Sequence, residues 1–383
     1  MTMKTTQKWS RQNNRFVRFL LSVCIILLFA QNVQAQNKWD RSGLTYWDSD
    51  KLQYEMINSQ KVVQLIGNVY FRKGNQELRC DRALFYDDQD LAVFKGNVFY
   101  HDSSRTLLAD YFEFYSDPKR ELARGNVELV INQKKIFADE IIHEAFKDMV
   151  YANNNVRFVD LESDVIVTCE KLTYDKKLQK LLLEVDPKFV KTDSLGNPEI
   201  TIESGIITYF DSTKVAIAED SVVITQNNII AQSNFAEFHQ KENRIIIKDN
   251  PRISQNNKNM KADQIEMFFE NDSLRQIYLK GKGEMLSNFK IENNPASDQL
   301  TGAEIWIDIK DDSVRHIKVK GQAISIYHLI EDGKVQGINQ ILGDELAIDF
   351  DKGLVKEVTV LGDPEVSRGR FYPPKSKIKS LQK

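Results

Sequence analysis

Apolar and polar positions alternate along much of this chain with a period of two, the spacing of a β-strand that buries one face. One side of the first clear run reads Val63, Leu65, Gly67, Val69 and Phe71. A shift of 29 residues gives Ala92, Phe94, Gly96, Val98 and Tyr100, and a further shift gives Glu121, Ala123, Gly125, Val127 and Leu129. The fourth set is Val150, Ala152, Asn154, Val156 and Phe158. The valine and aromatic columns largely persist, which marks this side as the interior. The other side carries Gln64, Asn68, Arg72, Lys95, Asn97, His101, Arg124, Asn126 and Glu128 and is expected to face water. Runs rich in Val, Ile, Phe and Tyr continue at 216–223, 244–248 and 276–279, between Asp/Asn/Ser/Gly turn clusters such as 87–90, 270–273 and 311–313. Helical periodicity is absent over most of the chain after residue 35.

The alternation belongs to a repeat. Gly67-Asn68-Val69 returns as Gly96-Asn97-Val98 and Gly125-Asn126-Val127, with Asn154-Asn155-Val156 in the same place. A second mark, small then acidic, precedes the last three by about fifteen residues as Cys80-Asp81, Ala109-Asp110 and Ala138-Asp139. Two marks in one phase define a tandem array. Degraded copies follow at Asp186-Pro187, Asp220-Ser221, Asn250-Pro251, Gly283-Glu284, Gly321-Gln322 and Gly362-Asp363. This predicts nine or ten units over residues 60–367 and some eighteen strands. The array is regular over 60–190 and degenerate over 191–367, after an N-terminal arm at 36–59. A glycine at one phase of every other strand permits a bulge or kink there. Repeated kinks would fold an antiparallel sheet into an elongated, twisted trough. Whether the trough is hollow or packed solid is open at this level, as is whether it is one array or two lobes joined near Asp193–Pro198.

Composition narrows the function. The first 35 residues hold five bases, no acid and a 12-residue apolar run ending at Ala30. That run is too short for a bilayer span of about 20 residues. With Val33-Gln34-Ala35 after it, the segment reads as a secretory signal peptide cleaved after Ala35; the alternative is an uncleaved anchor. The full chain has 52 Lys+Arg against 55 Asp+Glu, a net charge of -3, and losing the leader makes it more acidic by five charges. An acidic exported chain is a poor nucleic-acid partner, because phosphate neutralisation needs a basic face. A basic, disordered tail is expected over 368–383.

Catalytic motifs are missing. The sequence has no phosphate loop, no dinucleotide fingerprint and no Gly-x-Ser-x-Gly elbow. His143-Glu144 begins like a zinc-protease motif, but Lys147 stands where the second His is needed. The five His are scattered, and no metal site or cofactor is expected. Most acids sit in turns or in the Ala-Asp mark, where bonding the next turn is their expected task. Cys80 and Cys169 share a repeat phase three units apart. Stacked strands at ~4.8 Å each put them too far apart for a disulfide, so both are read as inward fillers.

A leader followed by in-phase Ala-Asp and Gly-Asn-Val marks resembles the OstA/LptA-like family, best at 65–71 with 78–85, 94–100 with 107–114 and 123–129 with 136–142. The resemblance implies an all-β fold, an elongated twisted antiparallel β-jelly roll open along one side. It implies a periplasmic, non-enzymatic protein of lipopolysaccharide transport and outer-membrane assembly. Acyl chains of lipopolysaccharide or lipid A would lie inside, with sugars and phosphates outside. Partners would be transport components at the inner and outer membranes, and further copies joined head to tail through edge strands. The groove lining expected on this basis is Val69, Phe71, Val98, Tyr100, Val127, Leu129, Val156 and Phe158, then Leu65, Phe94, Ala109 and Ala138. The chain is about twice as long as the small bridge protein of that family and ends without the large barrel of its outer-membrane translocon, which suggests a longer bridge. The competing readings are a packed β-solenoid scaffold and a carbohydrate-active β-solenoid enzyme with an acidic cleft.

Overall fold

The computed structural model describes residues 46–373, except 58–59, 74, 87–88, 104, 132, 162–163, 194, 211, 271–272, 292–293, 311–312, 332–333, 352–353, 364 and 366. The leader and the last ten residues lie outside the described residues. The described chain is antiparallel sheet nearly throughout, with one 3-10 turn at Gln240–Glu242. The regular part comprises β1 (Tyr46–Asp48), β2 (Lys51–Ile57), β3 (Gln60–Lys73), β4 (Gln76–Tyr86), β5 (Leu91–His101), β6 (Thr106–Tyr115), β7 (Arg120–Ile131), β8 (Lys134–Glu144), β9 (Met149–Asp160) and β10 (Val165–Asp175). From β3 to β10 each strand pairs with the next as a meander.

Every one of these strands bends at mid-length. Ile66 pairs with Arg82 and Val69 with Cys80, so Gly67 and Asn68 together oppose Asp81. The same slip recurs between Lys95 and Val98 and between Arg124 and Val127. The two bulge residues both have positive φ: Gly67 at 76° and Asn68 at 45°, Gly96 at 73° and Asn97 at 45°. Glycine is required first, because a Cβ on Gly96 would lie 2.2 Å from Asp81 Oδ2. Asn suits the second place, since it tolerates left-handed backbone and its amide donates to that same carboxylate. Asn97 Nδ2 donates to Asp81 at 2.9 Å, Asn126 to Asp110 at 2.8 Å and Asn155 to Asp139 at 2.8 Å. The two sequence marks are thus the halves of one Asp–Asn clasp repeated along the bend. Asn68 completes a further clasp with Asp50 at 3.0 Å, so β1 and β2 form a bent strand of the same kind, upstream of residue 60.

Beyond β10 several strands break at the bend instead of bulging. β11 (Lys180–Glu184) and β12 (Lys188–Thr192) are two arms of one strand, as are β13 (Pro198–Glu203) and β14 (Ile206–Phe210). β15 (Val215–Gln226) and β16 (Ile229–His239) are continuous; β17 (Arg244–Lys248) with β18 (Arg252–Gln255) and β19 (Lys258–Lys261) with β20 (Gln264–Glu270) are again split. Four long strands follow: β21 (Ser273–Ile291), β22 (Asn294–Lys310), β23 (Ser313–Glu331) and β24 (Lys334–Asp351). The split pair β25 (Leu354–Leu361) and β26 (Arg368–Tyr372) ends the array. Joining the six split pairs, β1 with β2 and β25 with β26 included, reduces 26 strands to twenty bent ones, eighteen of them internal. Among the described residues, nine consecutive pairs have positive φ, from Gly67-Asn68 to Gly321-Gln322. The pair in β21 is Gly281-Lys282, not Gly283-Glu284 as the sequence pattern suggested. Gly281 faces Asp263, while Gly283 packs on Ile305.

The bends divide the sheet into two facing arms. The first arm holds residues 60–66, 82–86, 91–95 and their equivalents; the second holds 69–73, 76–80, 98–101 and theirs. Their inner faces share one apolar core that runs from Leu65 to Ile348. Pairing crosses the 193–198 region directly, β12 to β13. Two expectations change. Gln64 is fully buried, because it sits in register with Leu84, and Leu84 with Val93, in a second apolar cluster on the outer face. Residues 368–372 of the expected tail form β26 on β24, with Tyr372 opposite Ile338; backbone pairing orders them despite their two arginines.

Candidate functional site

Among the described residues, the space between the arms holds the larger of two apolar clusters, and the residues expected to line a groove are packed there. Leu65 and Phe94 stand on the first arm. Val69, Phe71, Val98, Tyr100, Val127, Leu129, Val156 and Phe158 stand on the second, and Ala109 and Ala138 flank the bend. All are buried except Tyr100, which is half-buried against the same core. Rings from opposite arms meet: Phe71 lies 5.7 Å from Phe85 and 6.1 Å from Phe94, edge to face. The later units supply Ile247, Ile265, Leu279, Ile305, Ile307 and Val319 at full burial, residues that the regular repeat did not single out. Cys80 and Cys169 are buried and unpaired, and burial pushes both thiols up to about 12. The acids of the Asp–Asn clasps lie along the outside of the bend, away from this space.

Between the arms, in the third unit, is a cavity of about 50 Å³. Its apolar wall includes Leu107, Phe112, Leu129, Ile136, Ile141 and Val150, and Arg105, Glu121 and His143 line it as well. At ~10–15 Å³ per probe-sized water, this admits a few waters and no acyl chain. Side chains of the two arms already meet across this space, as Phe71 does with Phe85 and Phe94, so an alkyl guest requires the arms to part.

The polar side of that cavity crosses from one arm to the other. Arg105 follows the turn between β5 and β6, on the second arm. Glu121 begins β7, on the first arm. Arg105 Nη1 and Nη2 donate to Glu121 Oε2 and Oε1, both at 3.2 Å. Each partner is also held on its own side. Arg105 Nε and backbone N–H donate to Asp102 at 3.3 and 2.9 Å, and the guanidinium lies 5.1 Å from the Tyr100 ring centre. Tyr100 Oη donates to Asp102 at 2.9 Å. Glu121 Oε2 is 3.4 Å from His143 Nδ1, and Lys176 Nζ is 2.8 Å from His143 Nε2. With the ammonium donating to Nε2, the ring hydrogen belongs on Nδ1, toward Glu121. Burial would raise the Glu121 carboxyl, but the charge of Arg105 and the bonds from His143 and Arg105 outweigh it and hold the group well below the usual carboxylate range. Burial lowers Lys176. Burial also opposes charge on Arg105, yet Glu121 overrides it and strengthens the proton's hold. The Tyr100 hydroxyl is pushed up to about 12, by burial first.

Glu121 and His143 interrupt an otherwise apolar row. Phe114, Glu121, His143, Val150, Tyr174 and Leu181 are successive register partners along the first arm. One unit away, Ala92 and Val150 occupy the place of Glu121, and their register partners Phe114 and Tyr174 that of His143. Glu121 was visible in the sequence as the one charged residue in the inward columns. Arg105, in a turn, carried no such signal. A second ion pair, Lys134 with Asp160 at 3.4 Å, is buried at adjoining ends of β8 and β9. Among the described residues no group of three or more His, Cys, Asp or Glu is placed to hold a metal.

Comparison with known proteins bears on residues 44–169, which match the family described as OstA-like protein. Among solved structures the chain is similar to LptH, the LptA-homologous periplasmic component of the conserved lipopolysaccharide transport device from Pseudomonas aeruginosa. The identity is 16%, over 29% of this chain and 82% of that one, with a TM-score of 0.26. No curated protein matches the chain.

Proposed function

From the premise that the chain carries an OstA-like region over residues 44–169, we propose that it is a periplasmic, non-enzymatic bridge that passes lipopolysaccharide toward the outer membrane. Acyl chains lie between the two arms, on the columns of Val69, Val98, Val127 and Val156 and of Phe71, Tyr100, Leu129 and Phe158. Sugars and phosphates stay at the open side. The observation that carries this reading is the apolar inner face, continuous from Leu65 to Ile348 between arms that share backbone only along the bend. Burying alkyl chain there contributes about 0.8 kcal/mol per CH₂, enough to repay parting the arms when several chains enter.

Two terminal strands present apolar edges suited to the partners such a bridge needs. The β1–β2 end exposes Trp47, Tyr54 and Met56, and the β25–β26 end exposes Val355, Leu361 and Phe371. Unpaired edges can add a strand from a neighbour, whether another copy or a component at either membrane. The small size of the cavity between the arms favours the second reading, a packed scaffold. Mass spectrometry of lipid extracted from protein purified out of its native envelope separates the two. Near-stoichiometric lipid A or lipopolysaccharide supports the carrier. Clean protein that also takes up no added lipopolysaccharide supports the scaffold. Val98→Asp should abolish lipid capture in protein whose circular dichroism is unchanged; normal crosslinking to lipid in that variant would overturn the groove assignment.

A further inference from the structure

We propose that the outer face of the first arm, around Gln64, is the seat of this chain's own residues 36–45, which strap the two arms together at the N-terminal end of the array. The inference is independent of what the interior carries.

Three observations converge on this seat. The first is burial on the far side of the sheet. Gln64 alternates with Leu65, which enters the core, so its side chain stands on the outer face. It is nevertheless fully buried, and Val62, Leu84 and Val93 around it are buried as well. The apolar residues packed against this group, Ile57 and Tyr111 among them, belong to the same sheet. Side chains standing side by side on one face shield each other's flanks and leave their tips open, so closing the tips takes a piece of chain laid over them. The second is the chemistry left unpaired. Neither Nε2 nor Oε1 of Gln64 has a hydrogen-bond partner among the described residues, and a buried amide without partners is costly. It lacks an acceptor and a donor at once. A polypeptide backbone offers both along its length, whereas an alkyl chain offers neither. The third is where the chain enters the array. β1 runs toward the bend, with Tyr46 opposite Arg72 and Asp48 opposite Tyr70, so the chain comes into it from the open side of the second arm. Val62, near the start of β3, lies at the open side of the first arm. Residues 36–45 can extend to about 33 Å at ~3.3 Å each, which exceeds the roughly 20 Å across two packed sheet layers with their side chains. Their large apolar members are Trp39 and Leu44. An indole has the area to cover Val62, Leu84 and Val93 together, and its N–H stays free to bond. One unit on, Glu113 and Arg120 stand where this face has Leu84 and Leu91, so the patch lies at the end of the array that this segment adjoins.

The test is thiol labelling of the full chain, exported with its leader and recovered from its native envelope, with the N-terminus read by mass spectrometry. A maleimide should react with Gln64→Cys at least about tenfold more slowly than with Tyr54→Cys, because a covered thiol waits for a local opening. Tyr54 is exposed on the neighbouring strand, and Cys80 and Cys169 are buried and add little background. Trp39→Ser with Leu44→Ser should raise the Gln64→Cys rate at least about tenfold and leave the Tyr54→Cys rate unchanged. Leu84→Cys reads the same seat should Gln64→Cys fail to fold. Under mild oxidation Trp39→Cys with Leu84→Cys should close a disulfide within one chain, which needs Cα atoms within ~7 Å. Labelling of Gln64→Cys as fast as Tyr54→Cys, or slow labelling that survives the two serine substitutions, would overturn the proposal. So would a disulfide formed only between two chains, which gives the seat to a second copy, or protection confined to chains that keep residues 1–35, which gives it to the leader. None of these outcomes bears on the carrier reading, which lipid extraction decides separately.

Discussion

At Val185 the chain asks a β-branched residue to do what Gly or Asn does at the first bulge position of the earlier regular units. It sits at φ 63°, is followed by Asp186 at 53°, and is largely exposed. Left-handed backbone costs an ordinary L-residue roughly 1–2 kcal/mol, and an exposed side chain returns little packing. Val185→Gly should therefore raise stability by about 1 kcal/mol in urea unfolding, net of glycine's greater freedom in the unfolded chain. The opposite is expected at Gly96. A methyl there meets the Asp81 carboxylate, and φ is already 73°, so Gly96→Ala should destabilise by roughly 1–3 kcal/mol. Asp81→Ala in the same chain should recover the steric part of that loss but not the conformational part. A double-mutant cycle with no coupling between the two would show that the clasp is not the source of the glycine requirement.

Whole strands are coupled through their arms, and the buried pair between β8 and β9 is the sharpest case. Lys134 and Asp160 lie almost without exposure. Removing one partner leaves a stranded charge, which costs about 3–5 kcal/mol, whereas replacing both with apolar residues is often neutral or stabilising. Asp160→Leu alone should thus lower the urea midpoint strongly, and Lys134→Met with Asp160→Leu should restore most of it. The Arg105–Glu121 contact acts across arms instead of along them, and its dependence on pH follows from the depressed Glu121 carboxyl. A group whose folded pKa is lowered contributes stability that is present above its unfolded value, about 4.3, and lost as pH falls through the folded one. Wild type should lose this contribution only in strong acid, and the stability difference from Glu121→Gln should shrink as pH falls below about 4. A difference constant from pH 7 to 2 would mean that the contact contributes nothing.

For the molecule as a whole, the proposed head-to-tail joining would be heterologous, because the two ends differ in sequence, and would grow open-ended unless its rotation closes a ring. Sedimentation at rising concentration should reveal open-ended growth, with mass increasing through dimer and beyond. Tyr54→Lys with Met56→Pro should suppress it, since the charge and the lost donor blunt the β2 edge. Growth that survives this pair of substitutions would move the contact away from the N-terminal edge. Because the units stack as an extended array, each contacts mainly its neighbours, and such edge changes should leave the stability of the distant β21–β24 region unaltered.

Alternation and a 29-residue period were enough to predict an all-β array, its inward columns and a bend at Gly-Asn, because strand faces and positive-φ positions are local properties written in residue type. The same reasoning missed Asp50 as the first clasp acid, misplaced the β21 bulge by two residues and put Gln64 in water. Each error concerned which residue a neighbouring strand brings alongside, and register across strands is not a local quantity. It also named Tyr100 as lining without seeing that its hydroxyl and ring brace Arg105. Arg105, Glu121, His143 and Lys176 come from four different strands or turns, spaced between 16 and 71 residues apart in the chain. Only the folding of one arm over the other makes them neighbours, because charge pairing between arms depends on where two backbones finally lie.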